Sequence, residues 1–279
     1  MEMKLMVLVD NNSFIGDYLL AEPGLSFYIE EGREKILFDL GYSGIFLENA
    51  QRLKIDLGQC TTLVISHGHI DHTGGLDQFI KMAWSRDEKE RRRPRLILHP
   101  DIIYNRGKEE GKEPGLIPGR SALEKTFSIQ ASREPVWITD RLIYLGEIKR
   151  QFAFEGKKEV KKAGGGKELV DYLPEDSALA YKSDQGLVII TGCSHAGICN
   201  IVEQARAVTG EERVLDIIGG LHLQKPSREQ LEGTREYIKA LGLRAFYPCH
   251  CTDLSSKIEL SRELKIQEVG TGFILNNYS

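Results

Sequence analysis

The chain has 279 residues, of which 41% are hydrophobic and 28% charged, so it can bury a large core as one or two α/β domains. Lysine and arginine number 37 against 41 aspartate and glutamate, and the net charge of −4 excludes a strong overall attraction to nucleic acid or anionic membrane. The apolar run near the N-terminus is too short for a secretory signal core or a membrane span, and no later segment approaches a spanning length. The five cysteines show no secreted disulfide pattern, so we expect a reducing cytoplasm.

The first part of the chain predicts a set of β-strands and one helix. Residues 3–9 favour a buried strand, and Leu25–Glu30 and Lys35–Asp39 favour a hairpin around the turn at Gly32. Asp39 closes the second strand, and from its position it is equally a turn residue or a support for ligand side chains. Residues 45–53 have the apolar spacing of a helix.

A dense group of metal-ligand residue types follows the next predicted strand. The short apolar run Leu63–Ile65 leads directly into His67, His69, Asp71 and His72. Imidazole and carboxylate in this density are the ligands that a zinc-like divalent ion prefers. His67 and His69 alternate to the same side of the backbone, and Asp71 and His72 lie one turn further on, where they can face a second ion. The alternative is a polar loop whose histidines only form hydrogen bonds, but four such residues after an apolar strand favour metal.

The region after this cluster contains a predicted helix and a strongly charged segment. Apolar spacing predicts the helix over Leu76–Trp84, and a short strand is expected at Leu96–Leu98. Between them, Arg86–Arg95 carries six basic and three acidic residues. This segment is either a solvated helix end and loop or a rim that gathers phosphate. His99, at the end of the strand, is expected to be structural.

The segment Phe154–Lys167 has the composition of a loop. It contains three consecutive glycines and five lysines, which pack poorly, so we expect it to be mobile. It could be a lid over an anionic substrate or a surface insertion without a role.

Three later predicted strands each end shortly before a histidine. The strands and the histidines that follow them are Leu187–Ile190 with His195, Val214–Ile218 with His222, and Ala245–Pro248 with His250. A helix is expected over Ser227–Leu241, with its start at Ser227 and its end at Gly242. Histidines used only for packing would be scattered, so their placement at strand exits predicts one convergent site.

The motif of residues 67–72, H-x-H-x-D-H with a T-G-G-L continuation, resembles the signature of the metallo-β-lactamase-fold hydrolases. The blocks T-G-C-S-H-A-G-I-C-N-I, G-G-L-H-L and P-C-H-C-T resemble the dihydropteroate-synthase-like branch of that superfamily. The resemblance implies an α/β fold of the αββα sandwich type, with two mixed sheets flanked by helices. It implies a single domain over residues 1–279, with variable loop or lid insertions around 84–95 and 147–175.

Carried over by position, the resemblance also implies metal ligands. His67 and His69 would bind a first ion, Asp71 and His72 a second, and His250 would be the terminal histidine ligand. Asp39 matches the first acidic position of the family, whose carboxylate supports the metal-binding histidines through hydrogen bonds.

The chain departs from the family pattern at Cys193, where a bridging aspartate ordinarily follows the strand and its glycine. We expect His195, two residues on, to be a ligand, while Cys193 is either a ligand or a core thiol. His222 is expected beside the site as an extra ligand, a phosphate-binding donor or a general acid. Ser194 and His222 are expected to contact substrate.

The function expected from these residues and this resemblance is metal-dependent hydrolysis. One or two zinc ions, with iron and manganese as open alternatives, would activate a water that Asp71 orients, and His222 would protonate the leaving group. The expected substrate is an anionic, phosphorylated, pterin-like or nucleotide-like small molecule; membrane and nucleic-acid partners are not expected, and the oligomeric state is open. The alternatives are a transferase that couples a pterin to an arylamine ribotide, and a non-catalytic metal-binding protein.

Overall fold

The computed structural model describes residues 2–89, 91–104, 118–156, 159–162, 168–171 and 173–278. The chain divides into two compact units. The first comprises Met1–Ile103, Gly115–Ser132 and Val269–Ser279, and the second comprises Tyr104–Pro114 and Arg133–Glu268. The expectation of a single domain over residues 1–279 stays a prediction.

Both units contain strands and helices. The strands are β1 (Met3–Val9), β2 (Ser26–Glu31), β3 (Glu34–Phe38), β4 (Thr62–Val64), β5 (Arg95–Leu98), β6 (Ser128–Ala131), β7 (Val136–Trp137), β8 (Leu142–Tyr144), β9 (Glu159–Lys162), β10 (Glu168–Asp171), β11 (Ala178–Ser183), β12 (Gly186–Thr191), β13 (Val214–Gly220), β14 (Ala245–Cys249) and β15 (Ile274–Tyr278). The helices are α1 (Ile45–Arg52), α2 (Ile70–Thr73), α3 (Leu76–Trp84), α4 (Pro100–Tyr104), α5 (Arg120–Thr126), α6 (Ile198–Thr209), α7 (Arg228–Leu241) and α8 (Leu254–Ser261), with a 3₁₀ turn at Leu57–Gln59.

The sheet of the first unit is mixed and has the strand order β15-β1-β2-β3-β4-β5-β6. Strands β15, β1, β2 and β3 pair antiparallel, whereas β3 through β6 pair parallel. The parallel register sets Phe38 beside Val64. The residues that follow β3 and β4 therefore leave the sheet at the same edge.

Helix α3 shows how one apolar cluster of this unit forms against one face of its sheet. Its buried residues are Leu76, Phe79, Ile80 and Ala83, which follow the i, i+3, i+4, i+7 spacing of one helix face. They pack in one cluster with sheet residues such as Leu63. Burying each large apolar side chain contributes about 1.5–3 kcal/mol, so this face fixes the helix that begins just after the histidine cluster.

The sheet of the second unit has the order β14-β13-β12-β11-β8-β7, and β12, β13 and β14 are parallel. Thr191 pairs with Gly219, and Gly220 pairs with Cys249, so the three strands end at one edge. Strand β11 runs antiparallel to β12, with Ala178 opposite Thr191. The residues just before β11 consequently lie at that same edge.

The helix predicted over Ser227–Leu241 is confirmed, with both of its ends. The hydroxyl of Ser227 accepts a hydrogen bond from the backbone N–H of Gln230 at 3.1 Å, which caps the first turn of α7. Gly242 ends the helix with a left-handed φ of 64°. Predicted helix α3 and the hairpin of β2 and β3 are confirmed as well.

The segment predicted as a loop over Phe154–Lys167 differs from that expectation. Strand β9 lies within it and pairs antiparallel with β10, which begins just after it, because backbone groups can pair whatever the lysine and glycine content of the segment. Residues 157, 158, 163–167 and 172, on which the mobile-loop and lid predictions partly rest, lie outside the described residues.

The expected α/β class, with two mixed sheets flanked by helices, is confirmed. Within the part of the chain that the structure describes, no helix combines the length and apolar character that a membrane crossing requires.

Candidate functional site

Asp39 is the centre of a buried hydrogen-bond network in the first unit. One of its oxygens, Oδ1, accepts from the backbone N–H of Ser66 at 2.8 Å. The other, Oδ2, accepts from the Ser66 hydroxyl at 2.6 Å and from Nδ1 of His72 at 2.7 Å. An ionised carboxylate only accepts hydrogen bonds, so His72 carries a proton on Nδ1 and presents the lone pair of Nε2.

Ser66 fixes the position of the ring proton of His67 in the same way. Its hydroxyl gives its proton to Asp39, so it accepts a hydrogen bond from Nδ1 of His67, which lies 2.9 Å away. His67 therefore presents Nε2 as well. Nε2 of His67 lies 3.2 Å from Nδ1 of His69, and all three histidines of the motif are buried.

These donors fit a tetrahedral divalent ion. Two nitrogens bound to one zinc ion, with zinc–nitrogen bonds of about 2.0–2.1 Å, are about 3.3 Å apart, which matches the spacing between His67 and His69. The carboxylate of Asp71 lies 3.8 Å from Nε2 of His72, and its side chain is 32% exposed. The donor set of imidazole nitrogens and a carboxylate suits zinc and related transition ions.

The strand exits of the second unit have an unusual backbone. Ser194, His222 and His250 adopt left-handed φ angles of 59°, 51° and 49°, and Asp39 in the first unit has a φ of 57°. Such a conformation costs a non-glycine residue roughly 1–3 kcal/mol, and it is concentrated at functional sites. All four residues are among those that the sequence predicted to surround or support the metal.

Cys193, His195 and His222 form a compact donor group in the second unit. One ligand atom of each lies within 4.8 Å of the others. The His195 and His222 rings have centroids 4.2 Å apart, Cys193 and His195 are buried, and His222 is half-buried. Thiolate and imidazole together suit zinc. His222, which the sequence set beside the site, is thus close enough to Cys193 and His195 to share an ion with them.

Cys251 supports the loops that carry these histidines. Its sulfur accepts a hydrogen bond from the backbone N–H of His222 at 3.2 Å. Burial raises the pKa of the Cys251 thiol, but hydrogen bonds with Cys193 and His222, together with the charges of His250 and His222, lower this pKa well below its usual range. Gly220 leaves room for the sulfur, because a Cβ there would lie 2.5 Å from it.

The Ser194 hydroxyl ties two strand exits together. It donates to the carbonyl of Gly220 at 2.7 Å and lies 2.8 Å from the hydroxyl of Thr191. Ser194 is buried, and these bonds join the end of β12 to the end of β13. The expectation that Ser194 contacts substrate stays a prediction.

Asp176 is a buried acid at this edge that the sequence analysis missed. Its Oδ2 accepts from the backbone N–H of Ala196, next to His195, at 2.8 Å. Burial raises the pKa of Asp176 to about 7, against the lowering by this bond and by Arg150 and His222. The signal in the sequence is its place two residues before β11, which pairs antiparallel with β12. An acid in that position lies at the edge where β12 ends.

Glu155 is a second buried acid, and it caps α6. Its carboxylate accepts from the backbone N–H groups of Cys199 and Asn200 at 3.2 and 2.7 Å. Burial raises the pKa of Glu155 to about 7, although these bonds to the helix N-terminus oppose the rise. Glu155 lies in the region expected to be an insertion, and its contacts fasten this part of the region to α6.

The basic segment after α3 is engaged in contacts within the first unit. Arg86 pairs with Asp56, and the guanidinium of Arg91 lies 4.2 Å from the centre of the Trp84 ring. Arg93 donates to backbone carbonyls at 2.7 and 3.1 Å. These contacts favour a solvated helix end over a rim that gathers phosphate.

Comparison with known proteins agrees with this fold. Residues 20–140 match the family model of the metallo-beta-lactamase superfamily. The chain is 28% identical to the 7,8-dihydropterin-6-methyl-4-(β-D-ribofuranosyl)-aminobenzene-5′-phosphate synthase of Methanocaldococcus jannaschii, over 94% of this chain and 92% of the relative. It is 29% identical to the uncharacterized protein MJ0448 of the same organism, over 92% and 93% of the two chains.

Among solved structures, the chain resembles Tm1679, a metal-dependent hydrolase of the β-lactamase superfamily. The TM-score is 0.78 and the identity 28%, over 99% of this chain and all of that chain. Together with the match over residues 20–140, this likeness covers both sheets. The chain therefore has the metallo-β-lactamase fold, and its residues 20–140 match the model of that superfamily.

Proposed function

We propose that the protein is a metal-dependent hydrolase of the cytoplasm. The observation that carries the proposal is the buried network in which Asp39 and Ser66 fix the Nδ1 protons of His72 and His67. Packing alone gives no reason to bury a carboxylate against two histidines in this orientation. Metal binding does, because it requires a neutral imidazole with one nitrogen open and the other held.

The residues that we propose as metal ligands are described unit by unit. In the first unit they are His67, His69, Asp71 and His72, and in the second they are His195 and His250, with Cys193 as a further ligand. Zinc suits these donors best. A bound ion of this kind lowers the pKa of a water toward neutrality and polarises an oxygen of the substrate.

Two side chains are suited to handle protons. Asp71 is partly exposed, so its carboxylate can orient a water and accept its proton. His222 is half-buried, and the bond from its backbone N–H to Cys251 holds its position. As an imidazolium it can protonate a leaving-group oxygen, and as a donor it can bind a phosphate.

The substrate class is inferred from the relatives. The product named for the M. jannaschii synthase contains a dihydropterin and a 5′-phosphate. We therefore infer an anionic, phosphorylated small molecule with a pterin-like or nucleotide-like part as the substrate of this chain.

A second candidate function is a transferase that couples a pterin to an arylamine ribotide. It is favoured by the identity of 28% to the synthase over 94% of this chain. In that reaction the metal-binding residues would stabilise a leaving pyrophosphate or phosphate instead of activating water. A non-catalytic metal-binding protein is the remaining alternative.

The first experiment measures metal bound to protein purified without added ions, together with hydrolysis of bis(p-nitrophenyl) phosphate. His69→Ala is expected to lose most of both. His99→Ala is the matched control, since His99 is also buried in the first unit and its Nδ1 accepts a hydrogen bond from the backbone N–H of Asp101 in α4 at 3.2 Å. If His69→Ala retains the metal and the hydrolysis of the wild-type protein, the proposal is wrong.

A second experiment separates the candidate functions. The protein is incubated with an activated pterin, with and without an arylamine ribotide, and the products are identified by mass spectrometry. A pterin alcohol formed without the ribotide supports the hydrolase, and a coupled product supports the transferase. Metal binding without either product would identify a non-catalytic protein.

A further inference from the structure

His195 lies in a tight turn whose own hydrogen bond does not involve the backbone N–H of Ala196. The carbonyl of Ser194 accepts from the N–H of Gly197 at 2.9 Å, so the turn spans these four residues. That bond uses the N–H of Gly197 and leaves the N–H of Ala196, at the third position, without a partner inside the turn. Ala196 is buried, so this donor requires a partner from another segment.

Asp176 supplies that partner. Its Oδ2 accepts from Ala196 at 2.8 Å, across 20 residues of chain, from the segment that leads into β11. Because Ala178 pairs with Thr191, Asp176 reaches the turn from the neighbouring strand of the same sheet. The bond thus joins the turn to the segment that leads into the neighbouring strand β11.

The second oxygen of Asp176, Oδ1, has an unusual environment. The side chain is 1% exposed, and among the described residues Oδ1 has no hydrogen-bond partner. A buried oxygen in this state is uncommon and calls for a functional explanation. Arg150, Glu175 and His222 are the charged or titratable groups that influence it, and His222 belongs to the candidate donor group.

We propose that Asp176 is a positioning residue for His195, whose turn it holds through Ala196 so that the imidazole keeps its metal-binding orientation. The proposal rests on the proposed function, in which His195 is a ligand. Partners that orient a metal ligand typically contribute roughly 10- to 100-fold to metal affinity. Asp176 acts through the backbone beside the ligand, in contrast to Asp39, which bonds directly to an imidazole.

Glu155 provides a matched control at the start of α6. It is also a buried carboxylate, its pKa is also raised to about 7, and it also accepts backbone N–H groups. Its partners, Cys199 and Asn200, belong to α6 and lie beyond Gly197. Loss of Glu155 should therefore weaken the helix without turning the His195 ring.

The experiment measures the affinity for zinc by competition with a chromogenic chelator, and thermal unfolding in parallel. Asp176→Ala and Asp176→Glu are expected to weaken zinc binding at least roughly 10-fold, because one removes the acceptor and the other displaces it. Asp176→Asn keeps an oxygen for Ala196 and should stay within about 3-fold of the wild-type protein. Glu155→Ala should unfold at a lower temperature while its zinc affinity stays within the same limit. The Glu and Asn variants keep the test decisive even where the Ala variant does not fold.

The outcomes separate this inference from the proposed function. If His195→Ala binds zinc as tightly as the wild-type protein, His195 is not a ligand and the proposed ligand set is wrong. If His195→Ala weakens binding but Asp176→Ala and Asp176→Glu do not, the positioning role is overturned. An equal loss of affinity in Glu155→Ala and Asp176→Ala would also overturn it, because the effect would then reflect general loosening of the loop.

Discussion

Oδ2 of Asp39 lies 2.7 Å from Nδ1 of His72, although 33 positions separate the two residues in the chain. The parallel pairing of β3 with β4 makes this contact, because it delivers both strand ends to one edge of the sheet. The bond fixes the tautomer of His72 before any metal arrives. Part of the free energy of ordering the site is therefore supplied by folding.

We predict that Asp39→Asn weakens zinc binding by roughly 10- to 100-fold, because the amide no longer fixes the Nδ1 protons as the carboxylate does. Competition with a chelator measures the affinity. Asp10→Asn is the control, since Asp10 is also fully buried in the first unit and its Oδ1 accepts a hydrogen bond from the backbone N–H of Asn12 at 3.0 Å. Equal affinities for Asp39→Asn and the wild-type protein would contradict the assigned network.

We predict that cobalt(II)-substituted protein shows a thiolate-to-metal absorption band in the near ultraviolet, and that Cys193→Ser abolishes the band. The expectation follows from the Cys193 sulfur lying near His195 and His222, where a metal would favour the thiolate. Cys60→Ser is the control, because burial raises the pKa of the Cys60 thiol to about 12 in the apolar core of the first unit. A band that survives in Cys193→Ser would assign Cys193 to the core instead.

Glu155 is predicted to make the fold less stable as the pH rises. Its pKa is raised by burial from 4.5 to about 7, so the folded chain binds the proton more tightly than the unfolded chain. The resulting stabilisation is fully present below about pH 4.5 and is lost as the pH rises to about 7, with a total of about 3 kcal/mol. Urea unfolding of the wild-type protein and Glu155→Gln across this range measures the difference, which should shrink toward low pH if Gln mimics the protonated acid. A constant difference at all pH values would contradict the raised pKa.

Gly220→Ala is predicted to lower the free energy of unfolding by about 1–3 kcal/mol, because the new methyl group overpacks a closed space. It would lie 2.5 Å from the Cys251 sulfur and 2.6 Å from the carbonyl of Gly192. Gly119→Ala, where nothing lies within 4 Å of the added carbon, should cost less than about 1 kcal/mol. Urea unfolding compares the two variants, and similar costs for both would argue against the close packing around Cys251.

The elements whose local pattern agrees with their final environment could be predicted from sequence. Helix α3 has its apolar residues on one face, and α7 has a capping serine and a terminal glycine. Each helix can therefore be predicted from its own residues. The histidine motif could be recognised because its ligands are neighbours in the chain. Each of these features depends on interactions within a few residues.

Asp176 and Glu155 could not be identified in the same way. Their burial and raised pKa values come from segments 20 and more than 40 residues away, which the local sequence does not describe. The pairing of β9 with β10 was missed because glycine and lysine content says little about backbone pairing. Long-range contacts therefore account for the two missed acids, and local backbone pairing accounts for the two missed strands.

The left-handed backbone at His222 and His250 has a consequence for evolution in the laboratory. Asparagine and glycine adopt this conformation more easily than histidine, so selection for thermal stability alone should favour them at both positions. Each such replacement would also remove an imidazole from the candidate site. A stabilised variant obtained in this way is expected to be a more robust protein and a poorer enzyme.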